Sequence, residues 1–254
     1  MSSRILPFLH KLIRGYAPRV YNPLLKIYFK LFDFNTQSLN RNLKKKLRLL
    51  DSQPVFISIG TNDGFSNDPF VDWVINSDCR ASFVEPVPQV FSKLRKNYED
   101  VLPTSTRLTF HNIAMSDLTE KTSFYAVSSN AKRELGNRVP YWVDQLGSVD
   151  RDHILKHLDG ILAPYIDEFE IETITLNDFL KSNDFSVVDV LHIDTEGCDY
   201  RIFRTLNLDL YQPKIILIEH KHLTADEFIR LRTTLLDYGY ESQKFRSDLL
   251  ATRN

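Results

Sequence analysis

Four side chains suited to proton transfer follow two apolar segments in the second half of the chain. Residues 187–193 and 214–218 are mostly apolar and are predicted to be buried parallel strands. The carboxyl ends of parallel strands meet at one edge of a sheet. Carboxylates and an imidazole brought together there can orient a hydroxyl group and remove its proton. The four residues are Asp194 and Glu196 after the first segment, and Glu219 and His220 after the second.

The neighbours of these residues favour structural interpretations. His192 lies inside the predicted strand and is interpreted as a core histidine, while Asp199 is interpreted as a helix N-cap. The four candidate side chains could also hold a divalent ion, because carboxylates and imidazole are metal ligands. Their spacing does not require an ion, so we predict no metal site.

A second candidate site lies near residue 60. The apolar run 55–59 ends in a glycine turn, Gly60-x-Asn62-x-Gly64, and a helix start follows at Asn67-Asp68-Pro69. The next apolar run, 81–84, ends at Glu85. A strand, a glycine turn, a helix and a strand ending in a carboxylate can hold a nucleoside cofactor, with the carboxylate on the ribose hydroxyls. The absence of the third glycine of GxGxxG argues against a dinucleotide. The alternatives are a tight turn that binds nothing and a solvated glutamate.

Residues 112–117 follow the predicted third strand, 108–113, at the same edge of the sheet. The short polar side chains of this segment could contact an adenine amino group, with Ile113 or Met115 against the ring. The open alternative is a simple turn, for which Ser116-Asp117 is suited.

The chain has 254 residues and a net charge of −1, but its charge is uneven. Residues 1–50 contain eleven lysines and arginines against Asp33 alone, with apolar residues at helical spacing. We predict a basic amphipathic helical arm that either lies on a membrane surface or packs on the rest of the chain or a second subunit. No apolar run reaches the length of a membrane span, and no clean signal peptide is present. We expect a cytoplasmic protein, with peripheral membrane contact left open, and no nucleic-acid partner because the arm lacks a known module.

From residue 51 onward, strand-like and helix-like runs alternate, which predicts an α/β domain over 51–254. Thr224 and Glu227 form a helix-starting capping box. Residues 128–170 interrupt the alternation and are rich in polar side chains, so we interpret them as an insertion that caps the acceptor site, the place of the molecule whose hydroxyl would lose its proton. Tyr141 and Trp142 could stack on a sugar ring there, or form the small core of the insertion.

Six sequence blocks in this order resemble the FkbM family of S-adenosylmethionine-dependent methyltransferases. They are Ile59-Gly-Thr-Asn-Asp-Gly64 with Asn67-Asp-Pro69, Val84-Glu-Pro-Val87, Ile113-Ala-Met-Ser-Asp117, Leu176-Asn-Asp-Phe-Leu180, Ile193-Asp-Thr-Glu-Gly197 and Ile218-Glu-His220. The resemblance implies a class I methyltransferase fold: a Rossmann-like, mostly parallel sheet with an antiparallel last strand and helices on both faces. It also implies O-methylation of a hydroxyl on a sugar, a glycan or a related natural product.

The resemblance further implies site residues. S-adenosylmethionine would contact Gly60, Asn62, Asp63, Gly64, Asp68, Glu85, Asn112, Ala114 and Asp117. The resemblance also implies that Asp194 and Glu196 lie where the methyl group meets its acceptor. From their shared position at the strand ends we predict Asp194 or His220 as the base, with Glu196 orienting the acceptor and Glu219 as a further catalytic candidate. Many relatives carry an acidic residue where this chain has Ser58, so Asp63 and Asp68 are the candidates to contact the methionine amino group instead.

Two other functions compete with this interpretation. An NAD-dependent dehydrogenase or epimerase is disfavoured by the glycine turn. A protein that binds a cofactor without catalysis, docked to a membrane or partner by the basic arm, remains open.

Overall fold

A computed structural model describes residues 38–140, 142–143 and 146–253. The first 37 residues of the predicted arm and Tyr141 of the predicted cap therefore lie outside the described residues. The strands are β1 Val55–Ile59, β2 Arg80–Val84, β3 Leu108–His111, β4 Ala114–Met115, β5 Lys121–Val127, β6 Gly147–Ser148, β7 Ile166–Ile174, β8 Val190–Ile193, β9 Ile215–Glu219, β10 Glu241–Lys244 and β11 Asp248–Thr252. The α-helices are α1 Leu39–Leu47, α2 Val71–Asn76, α3 Pro88–Val101, α4 Ser129–Leu135, α5 Arg151–Lys156, α6 Leu176–Ser182, α7 Asp199–Phe203 and α8 Ala225–Asp237.

The main sheet has seven strands in the order β10-β11-β9-β8-β1-β2-β3. β1 pairs in parallel with β2 and β8, whereas β11 is antiparallel to both of its neighbours. The predicted mostly parallel α/β sheet with an antiparallel last strand is confirmed. In the register of the sheet, Ile59 lies opposite both Val84 and Ile193. The residues that follow these three strand ends therefore emerge side by side.

Both faces of the sheet are covered by helices. All five side chains of β1 are buried, as expected for a central parallel strand. Ile57 belongs to the core on one face, with α6, α7 and α8, and Phe56 belongs to the core on the other face, with α1, α2 and α3. Because successive strand side chains point to opposite faces, one short apolar run supports two cores.

The last part of the predicted arm packs on the sheet. Leu43 and Leu47 of α1 are buried in the same core as Phe56. Of the two alternatives for the arm, packing on the rest of the chain is therefore the one that holds for residues 39–47. No helix in the described ranges has both the length and the apolar content needed to cross a bilayer.

A second sheet, in the order β4-β7-β5-β6, leads into the region that the sequence identifies as an insertion. The described residues of 128–170 include α4, β6, α5 and the 3-10 turns Gly136–Arg138, His157–Gly160 and Ala163–Tyr165. They also enclose a core of their own, to which Leu135, Ile154 and Leu162 belong. β7 begins inside this region, at Ile166, and its partly exposed pattern explains why the sequence does not predict it.

The start of α8 fixes the loop that follows β9. The Thr224 hydroxyl accepts a hydrogen bond from the backbone N–H of Glu227, and the Glu227 carboxylate accepts one from the backbone N–H of Thr224 at 2.9 Å. The predicted capping box is confirmed. It begins two residues after His222, which lies at the candidate site.

Candidate active site

A cavity of about 420 Å³ opens at the carboxyl ends of β1, β2 and β8. Seven of the thirteen predicted site residues line it. They are Gly60, Asn62, Asp68, Glu85, Ala114, Asp194 and Glu196. His157, Trp142, Ser148 and Lys221 line it as well. The cavity therefore joins the predicted cofactor turn to the predicted proton-transfer residues.

Gly60 is required where β1 and β8 end. Its φ is +72°, and a Cβ there would lie 1.8 Å from the backbone oxygen of Asp194. Its N–H donates to the backbone oxygen of Val84 at 3.0 Å, which fixes the turn from the other side. A side chain at this position would collide with backbone, so only glycine allows the turn to enter the cavity here.

Glu85 organises the same turn from the end of β2. Its two carboxylate oxygens accept hydrogen bonds from the backbone N–H groups of Asn62, at 3.0 Å, and of Val87, at 2.9 Å. Burial raises the pKa of Glu85 to about 7. Each carboxylate oxygen has a second acceptor site, so the group can still receive ligand hydroxyls.

Asp68 is the second buried carboxyl group on the cofactor side of the cavity. Its Oδ1 accepts a hydrogen bond from the backbone N–H of Phe70 at 2.6 Å. Burial is the main reason that the pKa of Asp68 is raised to about 7.

Ser58 and His192 form a buried pair in the strands behind the turn. Ser58 Oγ lies 3.1 Å from Nδ1 of His192, and burial lowers the pKa of this histidine to about 4. Ser58 is fully buried, and His192 contributes to the cavity wall. Position 58 thus carries no carboxylate, and its serine forms a neutral hydrogen-bonded pair with His192.

Two predicted cofactor residues near the turn have structural contacts instead. Asp63 accepts hydrogen bonds from Ser66 and forms an ion pair with Lys93 at 2.6 Å. Gly64 lies against α3, where a Cβ would come within 2.5 Å of Leu94. Neither residue lines the cavity.

Two further predicted cofactor residues also lie outside the lining. Asn112 Nδ2 donates to the backbone oxygens of Glu85 and Pro86, so it supports the strand end. Asp117 forms ion pairs with Arg201, at 2.6 Å, and with Arg204. Their contacts explain both polar side chains without a ligand.

Asp194 and Glu196 enter the cavity directly after β8. Burial, and then the charges of Asp199 and Glu196, raise the pKa of Asp194 to about 8. Glu196 Oε2 lies 2.8 Å from His222 Nε2, and this hydrogen bond is the main cause of a lowered Glu196 pKa. The two neighbouring carboxyl groups thus differ in proton affinity.

Asp199 shapes the turn between them. It is the first residue of α7 and follows the N-cap residue Cys198, so the predicted N-cap position is wrong by one residue. Its carboxylate accepts hydrogen bonds from the backbone N–H groups of Thr195, at 2.8 Å, and Gly197, at 3.0 Å. These bonds hold Glu196 in its left-handed conformation, with φ of 51°.

Glu219 and His220, the two predicted residues at the end of β9, are placed differently from the pair that follows β8. His220 Nε2 lies 3.1 Å from the backbone oxygen of Phe245, its ring packs on Phe228, and it does not line the cavity. Glu219 is buried, and its Oε2 has no hydrogen-bond partner among the described residues. Burial, and then repulsion from Asp194 and Glu196, raise the pKa of Glu219 to about 9.

Three histidines that the sequence analysis does not identify surround Glu196. The ring centres of His153 and His222 are 4.9 Å apart, and Nε2 of His153 lies 3.4 Å from Nε2 of His157. Burial, and then the neighbouring His222 and His157, lower the pKa of His153 to about 4. The i, i+4 spacing of His153 and His157 was the available signal in the sequence, but only the fold brings these side chains to the end of β8.

Trp142 also lies at this end of the cavity, with its ring 6.0 Å from the ring of His157. It packs against the separate core of residues 128–170 and lines the cavity as well.

Comparison with known proteins places this site in a family. A family model described as "Methyltransferase FkbM domain" matches residues 58–242. Among proteins of curated function, none matches the sequence.

Solved structures are similar to this chain at low sequence identity, and the first of them, at a TM-score of 0.50, shares its fold. The FkbM methyltransferase of Methylobacillus flagellatus KT is 13% identical at a TM-score of 0.50, over 81% of this chain and 45% of that chain. Precorrin-6y C5,15-methyltransferase from Geobacter metallireducens GS-15 is 14% identical at a TM-score of 0.42, over 87% and 91%. A SAM-dependent methyltransferase from Geobacter sulfurreducens, in complex with S-adenosyl-L-homocysteine, is 11% identical at a TM-score of 0.40, over 81% of this chain and 64% of that chain. This chain thus spans less than half the length of the first of these proteins.

Proposed function

The chain belongs to the FkbM methyltransferase family, and we propose that it transfers a methyl group from S-adenosylmethionine to a hydroxyl of a sugar, a glycan or a related small natural product. The observation that carries this proposal is the single cavity that joins the turn at Gly60 to Asp194 and Glu196. One end of the cavity suits a nucleoside cofactor, and the other suits removal of a hydroxyl proton.

The residues at the first end fit S-adenosylmethionine. A Cβ at Gly60 would collide with the backbone of Asp194, so a glycine here lets the predicted cofactor turn lie directly against the loop that carries Asp194. Glu85 is held by two backbone N–H groups and offers its remaining acceptor sites to ribose hydroxyls. Asp68 lines the cavity and Asp63 does not, so we propose that Asp68 binds the amino group of the methionine part of the cofactor. The segment at Ala114 would lie along the adenine.

S-adenosylmethionine supplies an electrophilic methyl group when it is bound. In this proposal the carboxylate of Asp194 accepts the proton of the acceptor hydroxyl, because the loop that carries this residue touches the Gly60 turn. Glu196, paired with His222, orients the acceptor from the outer side. Holding both groups in position is expected to supply much of the rate.

The other wall of the cavity supports a sugar-like acceptor. Trp142 offers an aromatic face, while Glu196, Lys221 and His157 offer polar contacts around it. An aromatic ring bordered by hydrogen-bonding groups suits a polyhydroxylated ring, which has apolar faces and polar edges.

The test uses a methyl-labelled donor with a panel of glycans, small polyols, carboxylic acids and proteins. We expect label in the hydroxyl-bearing acceptors, in a product that survives mild alkali, as an ether does and a carboxyl ester does not. The Asp194→Asn variant should lose transfer and retain cofactor binding. Alkali-labile label, or label found only in protein, would contradict the proposed acceptor. Cofactor binding without transfer to any acceptor would favour the non-catalytic alternative.

A membrane surface is the proposed location of this reaction. Six of the basic residues in the predicted arm precede residue 38, whereas α1 packs on the sheet through Leu43 and Leu47. Removal of residues 1–37 therefore tests the attachment and keeps α1, whose Leu43 and Leu47 belong to the core. The truncated protein should lose co-sedimentation with anionic vesicles, most clearly at low salt. Unchanged co-sedimentation would exclude attachment through these residues.

A further inference from the structure

We propose that His153, Glu196 and His222 form a binding site for a divalent transition metal, with Zn²⁺ as the expected occupant. The site lies at the acceptor end of the cavity, beside Asp194. It goes beyond methyl transfer, because a metal here is required neither by the fold nor by the cofactor site.

The three side chains are close to ligand geometry. One potential ligand atom from each lies within 4.8 Å of the others, and His222 Nε2 is only 2.8 Å from Glu196 Oε2. Tetrahedral Zn²⁺ with bonds of about 2.0–2.1 Å holds its ligand atoms roughly 3.3 Å apart. Side-chain movements of at most about 1.5 Å would thus close the group around an ion.

The backbone is built to bring these side chains together. Gly197 has a φ of +117°, and a Cβ there would lie 3.2 Å from Nδ1 of His153 and 3.9 Å from Cβ of His222. The missing side chain lets the ring of His153 approach the loop, next to His222. The Asp199 carboxylate fixes the same loop through the N–H groups of Thr195 and Gly197.

The ligand types indicate which metal the site takes. Imidazole ligands favour Zn²⁺ and its neighbours in the transition series, whereas Mg²⁺ and Ca²⁺ prefer oxygen ligands alone. His157 lies beside His153, with the two Nε2 atoms 3.4 Å apart, and is the candidate for a fourth ligand.

Crowded carboxyl groups next to the site point the same way. Glu219 Oε2 is buried without a hydrogen-bond partner among the described residues, and it lies 3.8 Å from His222 Nε2. Asp194 and Glu219 also form a close group with Glu196. A bound cation would offset the repulsion among these carboxyl groups.

The position of the site suggests what the metal does. His153 and His157 belong to the predicted cap, and Glu196 and His222 belong to loops at the edge of the main sheet. An ion bound by both would join the cap to the sheet. If the proposed function holds and His157 stays outside the coordination sphere, the fourth position would be open to the acceptor hydroxyl and the metal would lower its pKa. This second step rests on the proposed function, whereas metal binding itself does not.

The test is a titration of untagged, full-length, chelator-treated protein with Co²⁺ as a coloured probe for the Zn²⁺ site, followed by elemental analysis after reloading with Zn²⁺. We expect one equivalent of metal in the wild type. His153→Gln, His222→Gln and Glu196→Gln should each bind at least tenfold more weakly. His111→Gln is the matched control, because His111 lies at the end of β3, packs on Phe179 and does not line the cavity.

The proposal would be overturned if all four variants bound metal as tightly as the wild type. It would also be overturned if the wild type took up neither Co²⁺ nor Zn²⁺. Preference for Mg²⁺ over Zn²⁺ would overturn the histidine ligation in favour of the carboxylates alone. Circular dichroism identifies any variant that does not fold, and Glu196→Gln, which keeps the shape of the side chain, decides in that case. Because no methyl donor is present, failure here leaves the methyl-transfer proposal standing, and failure of methyl transfer leaves the metal result unaffected.

Discussion

Replacing Gly60 with alanine tests whether the turn between β1 and the cavity has the geometry described here. The added Cβ would lie 1.8 Å from the backbone oxygen of Asp194 and 3.0 Å from a side-chain carbon of Thr195. The obstacle is backbone and cannot rotate away. Asp194 N is hydrogen-bonded to the oxygen of Ile59, and Gly60 N to the oxygen of Val84, so relief requires strand ends to separate.

The magnitude follows from a comparison with Gly239, which also has a positive φ. Gly239 has a φ of +82°, but its nearest neighbour would be a side-chain nitrogen of Arg253 at 3.9 Å. Gly239→Ala therefore carries only the cost of the left-handed conformation, about 1–2 kcal/mol. Gly60→Ala carries a similar cost plus the overlap, which adds about 1–3 kcal/mol in a packed site.

The assay is urea unfolding of both variants, with calorimetric titration of S-adenosylhomocysteine. We expect Gly60→Ala to be less stable than Gly239→Ala by about 1–3 kcal/mol and to bind the ligand at least tenfold more weakly. Gly239→Ala should bind like the wild type. Equal stability of the two variants, together with unchanged affinity of Gly60→Ala, would refute the described turn.

Three other predictions concern charged groups. S-adenosylhomocysteine should bind more weakly as the pH falls through about 7, because protonation of Glu85, whose pKa burial raises to about that value, removes an acceptor for the ribose; calorimetry from pH 6 to 8.5 checks this, and a slope that persists in Glu85→Gln would exclude Glu85 as its source. Burial opposes ionisation of Asp117, but hydrogen bonds from Arg201 outweigh it and lower the Asp117 pKa to about 2. The resulting stabilisation is present above about pH 4 and is lost as the pH falls through about 2; Asp117→Asn should cost about 1 kcal/mol at pH 7 after allowance for the half-exposed arginine, and equal urea midpoints at pH 7 would contradict it. Asp194→Asn should lower kcat by about 10²–10⁴-fold with little change in cofactor affinity, and a variant with full turnover would remove Asp194 from the mechanism.

Local pattern was enough to predict the main sheet. The apolar runs before Gly60, Glu85 and Asp194 are buried strands, and the parallel rule places their ends together. The antiparallel last strand came from the family resemblance. The second sheet was not predictable in this way, because β5 and β7 are partly exposed and their paired residues are 39 to 51 positions apart in the sequence.

The site was predictable only in part, because contacts decide which polar residues face the cavity. Asp63 and Asp68 are both near the turn, yet an ion pair with Lys93 occupies one and the other lines the cavity. His220 and His222 are two residues apart, and the turn after β9 directs only His222 toward Glu196. No sequence pattern indicates these choices, since they depend on distant partners.

The most direct test of the central claim is calorimetric titration of S-adenosylmethionine into the wild-type chain and into the Glu85→Ala variant. The account predicts saturable one-to-one binding to the wild type and at least tenfold weaker binding to the variant, because the variant loses both the ribose acceptor and the anchor of the turn. Absence of saturable binding to the wild type, or equal binding to both proteins, would contradict the assignment of this cavity as the cofactor site.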